Sequence, residues 1–230
     1  MAADSAAPSE RPAHTRTQHA IRLLVLMDRT GEAVADGDPP AAVKVVRSEL
    51  RLQAMDFWMR NPDYLADELI AAVDAGALAV GFLDVARGLL EDPEPDLHYY
   101  PMPRWFYGAY EAIDDAMALL ETYGLATFRR SGEPGSKSHR NQMFLTAAGE
   151  RAVEELTADP VLGWYVRQAE LVALVAGDTV GSRLKDRQYE QATYAGTDLG
   201  LDIAPITEHV HKRLDALAPG AAGGSEDGRA

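Results

Sequence analysis

The chain of 230 residues contains no cysteine, which removes disulfide frameworks and thiolate metal sites from consideration. Lysine occurs only at Lys44, Lys137, Lys185 and Lys212, so arginine supplies most of the positive charge. That charge is itself scarce: 22 Lys+Arg stand against 36 Asp+Glu, a formal net charge of -14. A chain so acidic repels polyanions unless its cations cluster on one face. There is no run of about eighteen apolar residues of the kind that marks a transmembrane helix. The first residues carry acids and prolines where a signal peptide would carry an apolar core. The expectation is a cytoplasmic protein with no membrane partner. At 47% hydrophobic and 25% charged, the composition is that of an ordinary globular protein with one sizeable core.

Taken in order, residues 1–18 are rich in Ala, Ser and Pro and read as a disordered tail. Ile21 and Leu23 to Met27 mark a first helix that ends before Gly31, and Asp36 to Pro40 is a turn. Val43, Val46, Leu50, Gln53 and Phe57 recur at helical spacing, which predicts a long second helix from about Ala41 to Met59. Asn61-Pro62 stops it and starts a third, carrying Leu65, Leu69, Ile70 and Val73. A helical stretch through Phe82 and Leu89 breaks at the linker Glu91 to Asp96. The aromatic run Tyr99, Tyr100, Trp105, Phe106, Tyr107 and Tyr110, beside Pro101 and Pro103, reads as core or as an interface. Base stacking would need interleaved cations, and only Arg104 offers one. Further on, Asp159-Pro160 opens a helix that is apolar on more than one face from Val161 to Val175, and such a helix is buried within the chain or against a second copy. Ser182 to Tyr189, with Arg183, Lys185 and Arg187, is a short amphipathic helix. Ile206 to Leu217 is the last helix, and 218–230 reads as a second disordered tail.

The stretch from Arg104 to Leu156 organises the rest. Tyr110, Ile113, Met117 and Leu120 form a helical stripe that ends at Tyr123-Gly124-Leu125, where Gly124 suits a C-terminal position of positive φ and Leu125 supplies the apolar contact after it. Ala126 and Phe128, then Asn141, Met143 and Leu145, give two short strands with Ser131 to Ser136 as the turn between them. Leu125, Phe128, Met143 and Leu145 are expected to face the helix bearing Ile113, Met117 and Leu120. Arg129, Arg130, Lys137 and Arg140 stand in this hairpin against Glu133 alone. Leu145-Thr146-Ala147-Ala148-Gly149 then opens another helix. This order of helix, strand, basic hairpin, strand and helix, with "GL" before the hairpin and "LTxxG" after it, resembles the winged helix-turn-helix of the MarR and PadR type regulators.

The resemblance covers about fifty residues and implies a mainly α fold: a winged helix-turn-helix domain over 19–157 with a small β-hairpin wing and N-terminal helices, and a C-terminal helical extension over 158–217. It also implies a dimeric transcriptional regulator that binds duplex DNA through Arg104, Arg129, Arg130, Lys137, His139 and Arg140, with Val43 to Phe57 and Val161 to Val175 placed to pair two copies. The sequence departs from that pattern at the helix before the wing. Where a groove reader offers Arg, Lys, Gln, Asn or Ser, this helix offers Glu111, Asp114, Asp115 and Glu121, and about a dozen residues replace the short turn before it. A second reading therefore stands beside the first: a winged-helix adaptor that docks a protein partner, for example an ATPase of a DNA-processing or defence complex, through acidic and aromatic surfaces. Catalytic motifs fail. The Gly132 to Ser138 stretch lacks phosphate-loop spacing, His209 and His211 diverge on their helix, and no serine sits on a glycine elbow. No enzyme, cofactor or metal is expected.

Overall fold

The computed structural model describes residues 16–92, 94–95, 102–131 and 140–217. Both expected tails up to residue 15 and beyond 217, the hairpin turn with Lys137 and His139, and Tyr99 and Tyr100 lie outside the described residues. The described chain is mainly helical with a small antiparallel sheet.

Helix α1 (Arg16–Thr30) is the axis of the core and begins inside the stretch expected to be tail. Its run from His19 to Asp28 is buried on nearly every side, save a half-buried Ile21. A helix apolar around its circumference belongs inside, and α1 is surrounded by α2 (Glu49–Arg60), α5 (Asp114–Thr122), α6 (Ala147–Ala158) and α7 (Gly163–Ala176). The broad apolar surface of α7 packs on α1, α2, α3 (Pro62–Asp74) and α6, so the chain's own core covers most of it.

One expected element changes type. Ala42–Val46 is a strand, β2, and the second helix starts only at Glu49. Val43, Val45 and Val46 are β-branched and pack well on a pleated surface, and the distant strand β6 (Arg140–Thr146) supplies the partner, with Val45 opposite Phe144 and Val46 opposite Met143. Ser48 caps α2, its Oγ accepting from Arg51 N at 3.3 Å. The sheet runs β1 (Glu32–Ala33), β2, β6, β5 (Ala126–Ser131), antiparallel throughout. Ala126, Met143 and Leu145 join the main core, while Phe144, Ala42 and Val45 form a second cluster on the opposite face. Phe128 packs on the main core and is half-buried.

The "GL" and "LTxxG" pieces prove to be two halves of one junction. Gly124 has φ +67°, its N–H donates to Glu121 O at 3.0 Å and Leu125 N–H donates to Leu120 O at 2.9 Å, the paired bonds of a Schellman C-terminus. Thr146 Oγ donates to Gly124 O at 2.7 Å and accepts from Gly149 N at 3.1 Å, capping α6. A Cβ at Gly149 would lie 2.2 Å from Leu125 O, so only glycine lets the two segments meet.

Between α2 and α5 stand α3, α4 (Phe82–Glu91) and a small hairpin of β3 (Arg104–Trp105) and β4 (Gly108–Ala109). Asn61 ends α2 rather than capping α3 with its side chain: its Nδ2 donates to Phe57 O at 2.7 Å. Of the aromatic run, Trp105, Phe106 and Tyr107 lie in this hairpin rather than on a helix, Tyr110 follows it, and α5 begins only at Asp114. Helix α8 (Gly181–Glu190) packs on α2, α9 (Ala192–Gly196) follows it, and α10 (Thr207–Leu217) lies on α3 and α4. Among the described residues no helix is long and apolar enough to cross a membrane.

Candidate functional site

The expected DNA-contacting residues fall into separate settings. Arg129 and Arg130 lie on β5 and are exposed. Arg129 Nη1 donates to Gly37 O at 2.9 Å and the guanidinium lies 5.6 Å above the Phe144 ring. Arg130 Nη2 stands 3.7 Å from Asp114 Oδ1, an exposed pair, and its guanidinium is 5.7 Å from the Phe128 ring centre. Arg140 opens β6. The helix before this hairpin, α5, carries Asp114 and Asp115 in its first turn. Asp115 has Arg16 at 3.8 Å, and Glu121 Oε1 accepts from Phe128 N at 2.8 Å. The nearest guanidiniums therefore face carboxylates of the same molecule.

Arg104 belongs to a different neighbourhood. Its Nε donates to Tyr189 OH at 3.2 Å, its Nη1 donates to Thr197 O, and the guanidinium sits 5.1 Å over the Tyr189 ring. Lys185 Nζ donates to Phe106 O at 3.2 Å. Arg187 pairs with Glu68, donates to Val175 O at 2.9 Å, and lies 5.3 Å over the Trp58 ring. Arg104 and Lys185 tie the small hairpin to α8 and to Thr197 after α9, and Arg187 ties α8 to α3 and the end of α7. They are bound into internal contacts and do not extend the basic hairpin.

Sequence reasoning missed a buried ionic cluster at the centre of the molecule. Arg22 Nε donates to Asp56 Oδ1 at 3.2 Å and Nη1 to Glu94 Oε1 at 3.0 Å. His19 places Nε2 3.8 Å from Asp56 Oδ2 and Nδ1 3.8 Å from Glu111 Oε1. Arg60 pairs with Glu111 and stands 3.8 Å from Asp56. Burial, opposed by Asp56 and assisted by Arg22, pushes the His19 imidazole down to about 4, so it is neutral at pH 7. His19, Asp56 and Glu111 offer ligand atoms within 4.8 Å of one another, a donor set compatible with a divalent cation. The geometry argues against that use. The two imidazole nitrogens point at different carboxylates, and two guanidiniums already supply the positive charge a metal would bring. The cluster ties α1 and α2 to the segment before α5. Its signal was available in the sequence: Asp56 and Arg60, four residues apart, flank the apolar run Phe57, Trp58 and Met59 of α2.

Two concavities accompany these features. A cleft of about 920 Å³ lies between the α2 N-terminus, β2 and the α7–α8 junction, and is lined by Arg29, Arg47 and Arg51 together with Glu32, Glu49 and Asp178. Arg47 is bound to Asp38 and Glu32, and Arg51 donates to the carbonyls of Thr179 and Gly177, so the lining is charge-balanced. A groove of about 380 Å³ between α1, α5 and α6 is mostly aliphatic, with Thr17, Tyr123, Glu155 and Asp159 also lining it.

No protein-family model, no curated protein and no solved structure matches this chain.

Proposed function

We propose that the chain is a protein-interaction adaptor built on a winged-helix core. The reading of the core rests on the order α1, β2, α2, α5, β5, β6 and on the strand order β2-β6-β5, in which α3, α4 and the β3–β4 hairpin form an insertion ahead of α5. The adaptor reading rests on one observation: α5, the helix that would enter a major groove, has Asp114 and Asp115 in its first turn, and the adjacent Arg130 lies against Asp114. Carboxylates at that place repel phosphate, and a net charge of -14 adds to the repulsion. Duplex binding has in its favour the exposed Arg129 and Arg130 on the hairpin, and is the second reading.

Titration of a labelled duplex at low salt separates them. The adaptor reading expects negligible binding by the wild type and by a variant with Arg129, Arg130, Lys137 and Arg140 all replaced by alanine. Tight wild-type binding whose log affinity falls with log salt by about 0.9 per phosphate, flattened in the variant, would establish the DNA reader instead.

A further inference from the structure

The β3–β4 hairpin presents its aromatic residues to solvent. Trp105, Phe106 and Tyr107 are 45%, 75% and 77% exposed, and the register of Trp105 opposite Gly108 makes Phe106 and Tyr107 the two turn residues. Two-residue hairpin turns favour Gly, Asn and Asp, whose backbones tolerate the turn. Two large aromatics at these positions bring no turn chemistry. Leu199 and Leu201, 47% and 58% exposed, continue the patch: Arg104 N donates to Leu201 O at 2.9 Å and Gly200 N to Arg104 O at 2.7 Å, which lays that segment along β3.

The scaffold beneath is rigid. A hairpin of two-residue strands is not stable alone, and this one is fastened from several sides. Arg104 is bound to Tyr189 and Thr197, Ala109 N donates to Tyr194 OH at 2.6 Å, and Lys185 Nζ donates to Phe106 O. Gly108, at φ +104°, would place a Cβ 2.7 Å from Tyr194 OH, so the turn and the buried tyrosine are built around each other. The backbone that carries the rings is thus held in place, and Lys185 Nζ lies 5.3 Å from the Tyr107 ring centre, so binding need not order the hairpin itself.

We propose that this aromatic tip is the anchor by which the chain docks a different protein, one that offers a concave apolar pocket with a basic or neutral mouth. The inference rests on the adaptor reading and names its contact surface. Shape and area select the partner. The tip projects, and its three aromatics offer on the order of 400 Å², whereas a stable interface needs about 800 Å² from each side. Two projecting tips meeting face to face fall short, while a concave partner encloses the rings and reaches the flanking leucines. Charge selects against the alternatives: Asp198 and Asp202 flank Leu199 and Leu201 in sequence, Arg104 and Lys185 at the hairpin are engaged in internal contacts, and the molecule carries a net charge of -14, where membrane surfaces and nucleic acids require clustered cations.

A photo-crosslinking phenylalanine analogue replacing Tyr107 in the full chain, expressed in the source cells, identifies the partner. The same analogue at Val80, an exposed residue outside both cavities, is the control. Crosslinking from 107 and not from 80 to a single other protein, mapped by peptide to an apolar pocket, is expected. With that protein purified, Phe106→Ser/Tyr107→Ser should weaken binding roughly thirtyfold, as befits central aromatic anchors, with no change in unfolding midpoint. Crosslinks only to a second copy of this chain, binding of the wild type to phosphatidylcholine–phosphatidylserine vesicles or to single-stranded DNA through the tip, or no product specific to 107 would each overturn the proposal. A partner that binds the tip variant as well as the wild type would overturn it while leaving the adaptor reading intact.

Discussion

Phe128 and Phe144 show how one strand position separates residues of the same type. Both lie in the sheet, yet Phe144 is wholly buried against Ala42 and Val45 while Phe128 covers the main core from its border. Phe144→Ala is expected to cost about 3 to 5 kcal/mol, and Phe128→Ala roughly half as much, because water already reaches part of the ring. Denaturant midpoints of the two variants check the order. At His19 the expectation concerns pH. Its imidazole is held at about 4 by burial, below the unfolded value near 6.5, so the native state takes its proton later than the unfolded chain does. The stabilising contribution is complete above about pH 6.5 and is lost progressively as pH falls towards 4. Stability of the wild type relative to His19→Gln should therefore decline by about 2 kcal/mol between pH 7.5 and pH 5. Asp63 and Glu68, whose carboxyls burial raises above the usual range, act in the opposite direction in both proteins and cancel in the difference. A gap independent of pH would show that His19 titrates in the native state as it does in the unfolded chain, and a wild type that gains on the variant as pH falls would show that His19 is protonated in the native cluster.

At the scale of elements, the α5 terminus, the hairpin and the start of α6 behave as one unit. Thr146 Oγ bonds both Gly124 O and Gly149 N, and Gly149 must lack a side chain for Leu125 O to approach. Gly149→Ala should cost about 1 to 3 kcal/mol by overpacking, and Thr146→Ala about 1 kcal/mol through the lost cap. The double variant should lose less than the sum, since either change already parts the same two segments. A strictly additive cycle in urea titrations would mean that the junction is not cooperative. The substitution of strand for helix at Ala42–Val46 has its cause at this scale too. Its apolar positions suit either period, and the pairing with β6 about a hundred residues away, which no local window contains, decides between them.

For the whole molecule, the faces expected to join two copies lie largely inside. Helix α2 is buried along Leu52 to Arg60, and α7 contributes Trp164, Tyr165, Val166, Ala169 and Val172 to the core. The proposed adaptor is therefore expected to run as a monomer of 24.9 kDa in light scattering at micromolar concentration, with its exposed aromatic tip awaiting a different protein. A dimer that persists in the Phe106→Ser/Tyr107→Ser variant would place a self-association surface elsewhere, and the aliphatic groove beside α1, α5 and α6 would be its first candidate.

The sequence by itself determined the elements whose signals are local: the α1 stripe, the break and restart at Asn61-Pro62, the glycine terminus of α5, the two hairpin strands and the Thr146 start of α6. Each depends on the chemistry of a few neighbouring residues, and the chain alone carries it. The candidate site was legible only in part, as the placement of Arg129 and Arg130 on a hairpin strand beside an acidic helix. Tertiary structure alone decided what those charges face, because partners for Arg104, Arg22 and Asp56 come from segments tens of residues away. It likewise placed Trp105, Phe106 and Tyr107, read from the sequence as core or as an interface, on an exposed tip. A ring's burial depends on which elements cover it, and the strand segment, Arg104 and Tyr194 that hold the hairpin in place leave Phe106 and Tyr107 on its uncovered end.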